Sequence, residues 1–460
     1  MEFNTNRVSI VRLRTPLLLL ALALGCGVWF PQPSASRDLW SSPKRLWPFA
    51  KQDWTDPRTD LPTAAAEWLS ASIRFDTSNP PGDERPLAAF LASQLRDHGV
   101  EARVIPTPGG SPDVGRGALW ARVPGTGKAP PIVLLSHLDV VPAIASDWVA
   151  DPFAGVVSGG YVLGRGAIDA KGLAVVHSLV AVGLATRSEP LDRDVIVLAV
   201  PDEETGGRSG AGLVAQRHSE LLSGARYLLT EGGSILPGEG GAPDLWGVSV
   251  TEKTPCWLSL RVEGNSGHGS TAGPDASVHV LLRGLARVAT LENRIRIGPE
   301  VARMFRALAP FAAEEDVSGL GDLERALDED EAFRLRFLSS PVRNALVRDT
   351  SAVTVLRAGE RTNVMPAMAV AEIDARILPG GSCALFEQRV RAAVDDPRVE
   401  IETLLSFGNR VSGTETPLFR AIDAVSKRAD PPGVVIPRVS VGFTDAHYFR
   451  DLGVDAYGFV

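Results

Sequence analysis

The sequence predicts an α/β protein of two domains, a large one with a mostly parallel sheet and a smaller, inserted α+β one. Three observations lead there. The chain has 460 residues, too many for one compact core. Three short continuous apolar runs, at 131–135, 195–200 and 227–229, read as strands buried on both faces, and a helical run of Leu, Val and Ala at 173–185 separates the first two. Strand, helix, strand at that spacing makes a parallel sheet with helices on both faces. Third, the pattern changes after Thr254. There Leu258, Leu260 and Val262 alternate as in a half-exposed strand, and 370–377 alternates again.

Taken in order, apolar spacing predicts a helix at 63–75 (Ala66, Leu69, Ile73) that ends at the breaker cluster Asp76-Thr77-Ser78-Asn79-Pro80-Pro81-Gly82. A second helix fits 85–98, closed by Gly99, and a third 277–290. Residues 300–337 are charge-rich and helical, an insertion. The domain reading is 63–253 for the first part of the large domain, 254–378 for the inserted one and 379–460 for the second part of the large domain.

The N-terminus reads as a targeting or anchoring segment. Arg7, Arg12 and Arg14 precede an apolar run at 17–30, shorter than the roughly 20 residues of a spanning helix. A basic start and a short apolar middle fit a secretory signal or an uncleaved anchor over 1–30. Ala23-Leu24-Gly25-Cys26 has the outline of a lipoprotein cleavage site, with Ala23 where Leu is usual. The Ser-, Trp- and Pro-rich stretch 31–62 reads as a tether. The expectation is a membrane-anchored or exported (periplasmic or extracellular) protein. Of the three cysteines, Cys26 lies in that leader, so at most one intrachain pair remains, between Cys256 and Cys383. That is neither a disulfide framework nor a cysteine zinc site.

Composition narrows the function. Hydrophobic residues at 44% and charged residues at 22% describe a soluble globular protein. A net charge of -8, with no long basic run after the N-terminus, argues against a nucleic-acid partner.

The chemistry sits where buried strands end. The first runs into Ser136-His137-Leu138-Asp139, the second into Pro201-Asp202-Glu203-Glu204, the third into Thr230-Glu231-Gly232-Gly233. Ligands of open α/β sheets bind at the carboxyl ends of strands. A Gly-rich loop, 164–172, adds Asp169 ahead of a helix. One His and several carboxylates converging there suit a borderline cation such as zinc. His137 and Asp139, two apart, point the same way in extended chain, so Asp139 can hold the second ring nitrogen. Glu203 and Glu204, adjacent, point to opposite sides, leaving one as ligand and the other free as base. Asp169 can bridge two metals. Each piece has a bland alternative: a turn with a satisfied His, a solvated Glu pair, a plain turn residue at Glu231. Their joint placement after apolar strands, in chain order, is what singles them out.

With those pieces the chain resembles the metallopeptidase family that holds aminoacylase, carboxypeptidase S, carnosinase and the desuccinylases. The matching segments are 77–82, 135–142, 164–172, Glu203-Glu204-Thr205-Gly206-Gly207, Ser266-Gly267-His268-Gly269-Ser270, Thr362-Asn363-Val364-Met365-Pro366 and Phe443-Thr444-Asp445-Ala446. Glu231-Gly232-Gly233 and the insertion after 290 look most like the carboxypeptidase S branch. The resemblance implies a zinc-peptidase catalytic domain with an inserted lid or dimerisation domain, and a homodimer. It implies two zinc ions, with Co2+ or Mn2+ as alternatives, held by His137, Asp169, Glu204 and Glu231. Glu203 is then the general base, Asp139 the partner of His137, and His268 the group that a dimer partner supplies to polarise the scissile carbonyl. Asn363 and Arg376 resemble substrate-holding residues, Arg376 for a carboxylate.

The implied activity is hydrolysis of a small peptide or N-acyl amino acid, releasing a C-terminal amino acid. The alternatives are a deacylase of the acetylornithine or succinyl-diaminopimelate type, and an inactive binding protein. His98, His177, His218 and His279 lie in helical patterns and read as structural or solvated. The family's last metal ligand is a His beyond a Gly-Phe-x-Pro segment, and this chain stops at Tyr457-Gly458-Phe459-Val460. The expectation is therefore a fragment with one strong and one weak metal position, the alternative being that His447 substitutes.

Overall fold

The computed structural model describes residues 61–222, 224–238, 242–408 and 410–459. The signal or anchor expected at 1–30 and nearly all of the tether lie outside them. Among the described residues, no helix is long and apolar enough to cross a membrane.

Among the described residues, seventeen strands carry the fold. In chain order they are β1 Glu101–Thr107, β2 Arg116–Val123, β3 Ile132–His137, β4 Val156–Ser158, β5 Tyr161–Leu163, β6 Val195–Val200, β7 Tyr227–Thr230, β8 Ser234–Leu236 and β9 Asp244–Glu252. β10 Thr254–Glu263, β11 Gly267–His268, β12 Thr350–Arg357, β13 Val364–Met365, β14 Met368–Ile377, β15 Val399–Ser406, β16 Gly433–Ser440 and β17 Asp455–Gly458 follow.

The larger sheet runs β1-β2-β6-β3-β7-β17-β9-β16, with β8 on β9. Its centre, β6-β3-β7-β17, is parallel, as is β9-β16, while β1, β2 and the β17-β9 contact are antiparallel. The sheet is mixed, with the parallel heart that the apolar runs predicted. Period two explains why those runs are apolar throughout. Leu134, Val195 and Val197 face one cluster with helices Leu61–Ile73, Arg85–Asp97 and Lys171–Ala185. Val133, Leu135, Ile196 and Leu198 face the opposite one, with Ala211, Val214 and Phe449. Helices cover both faces, so both side-chain sets must be apolar.

The second sheet, β12-β14-β10-β15, is wholly antiparallel. Helices Ser277–Ala289 and Cys383–Val394 cover one face, and β14 alternates accordingly along its length. A disulfide joins Cys256 in β10 to Cys383 at the start of the covering helix. The expected boundary at 378 therefore falls short, because that helix and β15 belong to this sheet. The chain returns near Ser412, whose amide donates to the Val250 carbonyl at 2.9 Å.

The charge-rich stretch is helical, as expected, in segments from Pro299 to Leu346. It does not sit in the smaller domain. Phe305, Phe333 and Phe337 pack with Ile436 and Val439 of β16, at the edge of the larger sheet. Lys253, between β9 and β10, marks the crossover from one sheet to the other. Its ammonium is buried and donates to the carbonyls of Ala345 and Arg348, both at 2.9 Å, and to Thr350 Oγ1 at 3.1 Å.

Candidate metal centre

The centre is assembled at the carboxyl ends of β3, β6 and β7, from the loops that leave them. His137 ends β3 and is 1% exposed. Its Nδ1 meets the backbone carbonyl of Asp139 at 2.9 Å, and the Asp139 carboxylate lies further off, at 3.5 Å. The backbone carbonyl takes the shorter contact, with the carboxylate beside it. An Nδ1–H given to that carbonyl leaves Nε2 facing the pocket as the ligand atom. Nε2 lies 2.8 Å from Asp169 Oδ1 and 3.5 Å from Glu231 Oε2.

Glu203 and Glu204 are not in extended chain. Residues Glu203–Thr205 form a 3-10 turn, entered from Asp202 in the left-handed region (φ 80°) and left through Gly206 (φ 103°). The Asp139 carboxylate spans this turn: Oδ1 accepts from the Glu203 amide and Oδ2 from the Glu204 amide, both at 3.1 Å. Asp139 therefore orients the Glu pair more directly than it orients His137. The turn still separates the two side chains. The buried Glu203 groups with His137 and the half-buried Glu231, while Glu204 groups with His137 and the exposed Asp169. In each group the donor atoms lie within 4.8 Å of one another.

The electrostatics are those of a pocket built for cations. Burial, with Glu231 beside it, holds the Glu203 carboxyl well above the usual carboxylate range. Burial and Asp169 push Glu204 up to about 7. Burial works against a charged His137, but Glu231, Asp139 and Asp169 outweigh it and raise the imidazole. The hydrogen bond from His137 holds Asp169 below its ordinary value. Four carboxylates thus converge on one imidazole, and a bound cation would relieve their repulsion. The donor set, one imidazole nitrogen with carboxylate oxygens, suits zinc and its neighbours. Both groups share His137, whose one free nitrogen serves one ion. Among the described residues, a second ion would be held by carboxylates and water.

The sequence profile described as Peptidase family M20/M25/M40 matches residues 133–460. The chain belongs to that family. Among curated relatives, the mouse protein called N-fatty-acyl-amino acid synthase/hydrolase PM20D1 is 30% identical over 350 residues, covering 72% of this chain and 66% of that one. Probable carboxypeptidase S-like 2 of Dictyostelium discoideum is 30% identical, covering 72% and 64%. Aminoacylase-1 of Sus scrofa is 27% identical, covering 84% of each. The chain spans about two thirds of the length of the first two. Among solved structures, the M20 family metallo-carboxypeptidase Sso-CP2 from Sulfolobus solfataricus superposes with TM-score 0.65 at 18% identity, covering 87% of this chain and 91% of that one. Human carnosine dipeptidase 1 gives 0.61 at 15%, covering 86% and 89%. They share the fold.

The remaining candidates of this family member fall elsewhere. His268 is exposed on β11, with Nδ1 on Ser270 Oγ at 2.7 Å, and belongs to neither donor group of its own chain. Asn363 is exposed beside it, its carbonyl accepting the Gly269 amide at 2.8 Å. Arg376 gives both arms of its guanidinium to Asp374, at 2.7 and 3.0 Å, and lies over the rings of Trp257 and Phe443. Its charge is already matched, so a substrate carboxylate would have to compete with Asp374.

His447 is buried face to face with Phe407, the ring centroids 3.4 Å apart, and burial pulls its imidazole down to about 3. It joins neither donor group. His98 and His177 are structural, as expected, the first on the Gln94 carbonyl at 2.8 Å and the second buried and neutral. Sequence reasoning overlooked Asp445 as a site residue. It is buried and burial holds its carboxyl well above the ordinary range, with Asp139 adding to the effect. A side chain at Gly207 would meet its Oδ1. Its motif, Thr444-Asp445, was the only signal.

Proposed function

We propose that this chain is a metal-dependent hydrolase of N-acyl amino acids or small peptides, cutting the amide bond next to a free carboxylate. The observation that carries the reading is the pair of donor groups sharing the buried His137, one of them holding the buried carboxylate of Glu203. The names of the relatives, an N-fatty-acyl-amino acid synthase/hydrolase and an aminoacylase, favour N-acyl amino acids. Two zinc ions, with Co2+ or Mn2+ as alternatives, would be held by His137, Asp169, Glu204 and Glu231, and would supply Lewis acidity and an acidified water.

Glu203 then takes the proton of the attacking water and returns it to the leaving amine, its position fixed by the Asp139–amide bond. Burial keeps bulk water from competing for that proton. His268 and Asn363 lie side by side and exposed, which supports their entering the site of a second subunit in a homodimer. The Cys256–Cys383 disulfide supports export, because such bonds persist in oxidising compartments. Membrane association through the N-terminal apolar run remains part of this proposal.

The test is a panel of short- and long-chain N-acyl amino acids and dipeptides, read by the released amino acid. The full chain is expected to cleave at least one class. Glu203→Gln should lower kcat by about 10²–10⁴-fold with bound metal unchanged, whereas Glu204→Gln should lose metal. No hydrolysis of either class, or metal loss in Glu203→Gln alone, contradicts the reading.

A further inference from the structure

Below the Glu pair lies a closed ring of buried polar groups that the chemistry does not itself use. Asn79, from the breaker cluster after the first helix, is 4% exposed. Its Nδ2 donates to Asp139 Oδ2 at 2.8 Å and to Thr205 Oγ1 at 3.1 Å. Thr205 Oγ1 donates in turn to Asp202 Oδ1 at 2.6 Å. Arg116, on β2 and 5% exposed, closes the ring with one guanidinium arm on Asp202 Oδ1 and the other on Asn79 Oδ1, while its Nε donates to the Pro81 carbonyl at 3.2 Å. Asp202 Oδ2 accepts the Ser209 amide at 2.7 Å.

Four segments distant in sequence meet here: residues 79–81, Arg116, Asp139, and the turn from Asp202 to Ser209. A carboxamide has one donor end and one acceptor end, and this ring uses both: the nitrogen serves Asp139 and Thr205, the oxygen Arg116. Arg116 takes the oxygen of Asn79, so its nitrogen must face Asp139. Asp139 is thereby held with both oxygens toward the Glu203 and Glu204 amides. Asp202 pays the left-handed backbone from which the turn starts, and Arg116 and Thr205 keep its carboxylate in place.

We infer that Arg116 and Asn79 are positioning residues: through Asp139 they set the spacing and orientation of Glu203 and Glu204. The inference rests on the roles proposed above for those two glutamates. It assigns work to a ring that touches neither substrate nor metal. Outer-shell partners of this kind typically change affinity or rate by about 10–100-fold.

The discriminating variant is Asn79→Asp. It is isosteric and keeps an oxygen for Arg116, but places a carboxylate oxygen against Asp139 where a donor stood. A ring that serves the site predicts an intact circular dichroism spectrum and a cobalt(II) dissociation constant weakened about tenfold. It also predicts a shifted visible spectrum of the bound cobalt, and kcat lowered by about 10–100-fold with KM within about twofold. Thr205→Val, which cuts the ring on its other side, should show the same changes more weakly, and stands in if Asn79→Asp does not fold.

Lower thermal stability with cobalt affinity, cobalt spectrum and kcat all unchanged would overturn the inference, leaving a purely structural ring. The cobalt readouts need no substrate. An inactive wild type would therefore count against the proposed reaction, while an unaltered cobalt spectrum in Asn79→Asp would count against the ring.

Discussion

Glu84 is the residue where the protein stores an uncompensated carboxyl. It is fully buried, neither oxygen accepts a hydrogen bond, and its nearest charge is Arg116 Nε at 3.7 Å. Burial raises it to about 8, against the pull of Arg116. A carboxyl raised in the folded state favours folding fully only below its unfolded value near 4.5, and that contribution is lost as pH climbs through the folded value. Glu84→Gln should therefore match the wild type in Tm near pH 4.5 and gain over it steadily up to about pH 8, levelling beyond. A Tm difference that does not change with pH would show that Glu84 does not titrate there. At this scale the site was largely legible. His137, Asp169, Glu203, Glu204 and Glu231 stand out because each follows an apolar strand or a Gly-rich loop. The bonds of the Asp139 carboxylate to the Glu203 and Glu204 amides were not legible, since they depend on a 3-10 turn and a left-handed Asp202 that no spacing rule foretells. Arg376 lies beside Asp374 because the two are two apart on β14, where alternation puts both side chains on one face.

The turn at 203–207 is the element on which the chemistry depends. Gly207 has φ 67°, and an added Cβ would run into the Asp445 carboxylate. Gly207→Ala should therefore disturb the turn and Asp445 together, lowering kcat at least tenfold, about 1.4 kcal/mol in the barrier; a variant with unchanged kcat would mean the turn yields without moving Glu203. The helix Cys383–Val394 is the second such element, tied to β10 by Cys256–Cys383. Replacing both cysteines by alanine should lower stability by about 2–4 kcal/mol, read as a shifted urea midpoint, and no shift would mean that the bond does not form in solution. The strands buried on both faces were legible from apolar runs alone. The boundary at 378 was not, because β15 alternates only weakly and its pairing with β10 is a long-range fact. The helices between Pro299 and Leu346 were readable as helices, but nothing local says that they pack on β16.

Across the whole molecule, the two sheets meet at Lys253, whose ammonium gathers carbonyls from the helical insertion and Thr350 from the start of β12. The metal-binding groups sit on the larger sheet, and His268 and Asn363 on the ladder that leaves the smaller one. On the proposed function, one part would hold the reacting centre while the other brings His268 and Asn363 to the substrate of a second subunit. The family was legible from seven short segments, while the described structure adds that the two donor groups share one imidazole, His137. The account stands on that cluster being a working metal centre. The direct measurement is the rate of N-acyl amino acid hydrolysis after chelation and dialysis, before and after zinc is returned, with residual metal counted by mass spectrometry. The account predicts loss of activity on chelation and its return with zinc. Full activity in a sample free of metal would contradict it.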